Sequence, residues 1–102
     1  MASRLNLHEE FRTILESDNV YFQPPQSLLM DYPCIRYSPG APDITYANNK
    51  FYKGIKRYDG MVIDDDPDSK IADKLLAHFE MITLGDPYPA DNLNHFPFTI
   101  YY

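Results

Sequence analysis

Asp64-Asp65-Asp66-Pro67-Asp68-Ser69 crowds acidic side chains into one short stretch, the raw material of a divalent-cation site. Asp64, Asp66 and Asp68 fall on the first, third and fifth ligand positions of a helix-loop-helix calcium loop. That pattern then fails twice. Ser69 stands where the sharp turn needs glycine, and Leu75 where a bidentate glutamate must close the cage. Magnesium-dependent phosphoryl transfer would need further acidic partners and a phosphate cradle. The glycines, however, are scattered at Gly40, Gly54, Gly60 and Gly85. The same residues fit a strand-to-helix joint, with Asp66 as N-cap, Pro67 in the first helical position, and Asp68 and Ser69 in the first turn. Negative charge is favoured there by the helix dipole.

Other chemistry-bearing residues give no constellation. His8-Glu9-Glu10-Phe11-Arg12 opens like a zinc-protease helix but has Arg12 where the second histidine must stand. His78 fits a charge placed near a helix end, and His95 a loop or the start of a strand. Cys34, the single cysteine, reads as a buried apolar thiol rather than a nucleophile. The chain is therefore expected to carry no catalytic residues, no metal and no cofactor, and not to be an enzyme.

Contact chemistry is richer. Lys50-Phe51-Tyr52-Lys53 and Lys56-Arg57 interleave bases with aromatics, as single-strand nucleic-acid binders do. A net charge of −6 argues against general nucleic-acid binding and for contact with protein. Nine tyrosines and no tryptophan agree, since tyrosine supplies large amphipathic contact area with few rotors to freeze. Candidate inter-subunit residues are Tyr46, Asn49, Lys50, Phe51, Tyr52 and Lys53, on an arm from Ile44 to Arg57, together with Tyr101 and Tyr102.

The elements follow from periodicity. Leu7, Phe11, Ile14 and Leu15 form one helical stripe, capped by Asn6 with Glu9 or by Ser3, and stopped near Ser17-Asp18-Asn19. Val20 to Gln23 is a short strand closed by Pro24-Pro25. Cys34 to Ser38 is a second strand, with Ile35 and Tyr37 on one face. Lys56 to Asp64 is a third; its two neighbouring apolar runs imply cover on both faces at one end, or a bulge at Gly60. Ile71, Leu75, Leu76 and Phe79 make the second helical stripe, with Lys70, Asp73 and Lys74 outward. Thr83 to Asn94 reads as a loop. Phe96, Phe98, Ile100 and Tyr102 alternate along a terminal strand, which Pro97 places at a sheet edge or just inside its own start.

The expected fold is a single α+β domain over 1–102, in the order α-β-β-β-α-β, with about four mostly antiparallel strands and two helices packed on them. A 44% hydrophobic composition is enough for a modest core. No signal-like or membrane-spanning apolar stretch is present in the sequence, so synthesis in the cytoplasm is expected.

Several phrases resemble small proteins encoded among the head-to-tail genes of long-tailed bacteriophages. They are Asn19 to Pro25, Tyr32 to Ser38, Val62-Ile63-Asp64 with Asp66 to Ser69, and Ala90 to Phe96 with Phe98 to Tyr102. The Tyr-Pro-apolar strand and the element order look like the tail terminator, or tail completion, proteins. That resemblance implies a hexameric ring in the virion, where it caps the tail tube, contacts the tube protein and the head connector, and lets DNA pass its acidic lumen without specific binding. Other roles in keeping with these residues are a head-completion or connector ring, and a phage-encoded module that binds a host protein.

Overall fold

The computed structural model describes residues 4–25, 27–40 and 56–102. They form α1 (Arg4–Leu15), β1 (Val20–Phe22), β2 (Cys34–Pro39), β3 (Arg57–Asp64), α2 (Lys70–His78), β4 (Ile82–Leu84), β5 (Tyr88–Ala90) and β6 (Leu93–Tyr101). This is an α+β fold with two helices and a six-stranded, mostly antiparallel sheet, rather than the expected four strands. Its order is β1-β2-β3-β6-β4, with β5 also paired to β6.

Helix α1 buries Leu7, Phe11 and Leu15 of the expected stripe, with Ile14 half-buried against them. Asn6 lies inside the helix instead of capping it. The end is set by Glu16, whose φ of 58° is left-handed. Ser17 N–H then donates back to the Arg12 carbonyl at 3.3 Å, the long closing bond of a Schellman motif.

Alternation along the strands divides the sheet into two faces. Val20, Ile35, Tyr37, Tyr58, Val62, Phe98 and Ile100 point to the helices and form the core with Phe11, Leu75 and Phe79. Register is continuous through β3. Tyr37 and Phe98 both oppose Gly60, and no residue is inserted there. The bulge considered for Gly60 is absent. The other alternative fits, since Val62, Ile63 and Asp64 are consecutive and all buried.

Thr83 to Asn94 is not a loop. Leu84 faces Phe98 while Tyr88 faces His95, so three residues, Gly85 to Pro87, oppose two on β6. β4 and β5 are thus two parts of one strand-like run with a bulge between them. Asp91 and Asn92 then reverse the chain with φ of 53° and 63°, the left-handed pair a type I′ hairpin turn requires.

The terminal strand is not an edge. β6 lies between β3 and the β4–β5 run. Pro97 is tolerated because its carbonyl accepts Gly85 N–H at 2.8 Å, so its hydrogen-free nitrogen faces the same side, at the bulge.

Helix α2 begins at Lys70 with Ser69 as N-cap, so the cap is not Asp66. Of its expected stripe Leu75 is buried and Phe79 caps the end, but Leu76 is 51% exposed. Ala72 takes the inward place instead.

Candidate interaction surface

The acidic stretch folds the chain back on itself between β3 and α2. Asp64 Oδ1 accepts from Asp66 N–H at 3.0 Å, and Asp66 Oδ1 accepts from Asp68 N–H at 2.9 Å. Ser69 Oγ accepts from Ile71 N–H at 3.3 Å. Asn94 Nδ2 donates to the carbonyls of Asp64 and Asp65, each at 3.4 Å, and so ties the turn to β6. Successive side-chain-to-backbone bonds of this kind are turn chemistry. Among the described residues, no three His, Cys, Asp or Glu side chains are grouped as a metal ion would require.

The histidines are dispersed. His8 Nδ1 lies 2.7 Å from the hydroxyl of buried Tyr37. Burial, with help from the Arg4 charge, pushes its pKa down. His78 meets Glu10. His95 sits in β6, stacked on Tyr88 with 4.9 Å between ring centroids and 5° between planes. Its Nδ1 is buried without a hydrogen-bond partner. Cys34 is fully buried, and desolvation raises its thiol to about 11, the opposite of an activated nucleophile.

Both helices pack on the core face; on the opposite face Cys34 and Ile63 are buried as well, and the part left accessible lies around Arg36. Cross-strand register sets Tyr21 beside Arg36, Arg36 beside Met61, and Met61 beside Pro97. The next row holds Ser38, Asp59 and Thr99. Asp59 accepts from Arg57 at 3.1 Å and from Thr99 at 3.3 Å, while Arg36 is exposed. Gln23, Pro24, Arg36, Ser38, Asp59 and Met61 line a groove of about 420 Å3 there. The β1–β2 connection adds apolar surface, with Leu29 93% exposed and Leu28 and Tyr32 about two-fifths exposed. Sequence patterning missed this surface, because Leu28-Leu29 between turn residues gives no periodic signal.

Of the expected contact residues, Tyr46, Asn49, Lys50, Phe51, Tyr52 and Lys53 lie outside the described residues. Tyr101 and Tyr102 close the β3–β6 ladder. Tyr102 exchanges backbone bonds with Lys56 at 2.9 and 3.1 Å, and Tyr101 N–H donates to the Met81 carbonyl at 2.9 Å. Their strand is paired on both sides, so it does not offer the free edge expected for augmentation by a neighbour. Any contact through these tyrosines is made by side chains.

The chain matches no family model, no curated protein and no solved structure. No described helix is long and apolar enough to cross a membrane.

Proposed function

We propose that this chain is a non-enzymatic virion subunit of a long-tailed phage: a tail terminator that assembles into a ring at the head–tail junction. Support comes from the phage-like phrases running through the sequence and from the α+β layering. The observation that carries the reading is one-sided packing. α1 and α2 cover one face of the sheet, and the other, which is closed over Cys34 and Ile63 at one end, presents Tyr21, Arg36, Met61, Thr99 and Tyr101 at the other. A sheet face left partly open in this way suits a subunit completed by its neighbours.

The mechanism is geometric. A ring seated on the last tube ring stops polymerisation by occupying the surface where the next tube subunit would add. Its other side receives the head connector. The net charge of −6 per subunit keeps the lumen repulsive to DNA, so the genome passes without sticking. Deleting the gene from the phage that encodes this chain tests the reading. Tails of uncontrolled length that fail to join filled heads are expected. Tails of normal length joined normally to heads would remove the assignment and favour a host-protein target instead.

A further inference from the structure

One carboxylate on α1 holds two distant parts of the chain. Glu10 Oε1 meets His78 Nε2 of α2 at 2.8 Å, and Glu10 Oε2 accepts the hydroxyl of Tyr102, 92 residues away in sequence. An aromatic chain backs the contact. The Tyr102 ring stands edge-on to Phe79 at 6.2 Å, and Phe79 edge-on to Phe11 at 5.7 Å. Tyr102 is also the backbone partner of Lys56, the residue that leads into β3. Burial, and then Glu10 itself, raises the Tyr102 hydroxyl to about 12, so it remains a donor at neutral pH.

We propose that Glu10 is a positioning residue that clasps the last rung of the β3–β6 ladder, Lys56 with Tyr102, to the helical layer. The start of β3 keeps its orientation while α1 and α2 are docked, and loosening either helix releases it. The backbone rung alone is a weak tether, since ladder ends fray at little cost. The side-chain bond to a charged acceptor lies off the sheet and anchors the rung to a separate element. Movement at the start of β3 is thereby coupled to the α1–α2 packing. This proposal does not depend on the ring assignment. Within that assignment, it is the route by which contact on the segment before β3 would reach the helices.

Amide exchange followed by NMR on the full chain tests it, using wild type, Tyr102→Phe, Glu10→Ala and the double variant. Tyr102→Phe keeps the ring against Phe79 and removes only the hydroxyl. The Lys56 and Tyr102 amides should exchange roughly tenfold faster in each single variant, the scale of one lost charge-assisted bond. The double variant should add little to Glu10→Ala, because both changes remove the Glu10–Tyr102 bond. The Val62 and Phe98 amides should keep their rates. Unchanged exchange at Lys56 and Tyr102 would overturn the clasp. So would additive effects in the double variant, or equal acceleration of all four amides.

Discussion

Phe98 occupies the space where a side chain at Gly60 would stand. The two residues face each other across β3 and β6, and a Cβ built on Gly60 would lie 2.1 Å from Phe98 Cζ. Phe11 closes over the ring from α1, edge-on at 5.7 Å, so Phe98 has little room to retreat. Gly60→Ala should therefore cost about 2–3 kcal/mol as overpacking, despite alanine's better fit to a strand. A denaturant melt of the variant measures this. A neutral or stabilising result would mean that the Phe98 ring is free to move.

Capping assigns different weights to the residues of the acidic turn. Ser69→Ala removes the side-chain acceptor for Ile71 N–H and should lower stability by about 1 kcal/mol in the same melt. Asp66→Ala removes only an exposed turn bond and should cost less. Calorimetry with calcium or magnesium should show no micromolar binding. The reverse order of the two variants would return the cap to Asp66, and cation binding abolished by Asp64→Asn would restore a metal site at this turn.

Cys34 offers a chemical check on the sheet. Burial raises the thiol to about 11, so at pH 8 it should stay protonated and resist iodoacetamide in the folded chain, yet react promptly in denaturant. The folded state favours the neutral thiol. This contribution is full below the ordinary thiol pKa and is lost as pH rises from there through about 11. Rapid native-state labelling at pH 8 would show that Cys34 is accessible.

Leu75 and Leu76 separate the faces of α2. Leu75→Ala should cost about 2–5 kcal/mol, because the side chain is fully buried. Leu76→Ala should change stability by less than about 0.5 kcal/mol unless a partner covers it. Equal losses in thermal melts of the isolated chain would place both leucines in the core.

Much of this fold was legible where periodicity is uninterrupted. The α1 stripe, the β2 alternation and the Phe98–Ile100 alternation all lie where the residues indicate. Legibility failed where proline and glycine carry two meanings. Gly85, Pro87 and Pro89 suggest a loop, but the first two fall in a bulge and Pro89 lies within β5. Pro97 suggests an edge, yet its nitrogen faces that bulge, so β6 is internal. The cap moved from Asp66 to Ser69 because both carry an acceptor before the same apolar run. In the contact surface, Arg36 beside Met61 follows from strand register, which no local pattern encodes.

The central claim concerns a place in the virion, and electron microscopy tests it there most directly. Particles of the phage that the proposed function requires would be purified and imaged with a gold-labelled antibody against this chain, and the junction reconstructed by cryo-electron microscopy. The account predicts label confined to the joint between head and tail, with a ring of α+β subunits seated on the tube end. Label elsewhere on the particle, or none in the virion while the protein is present in infected cells, would contradict it.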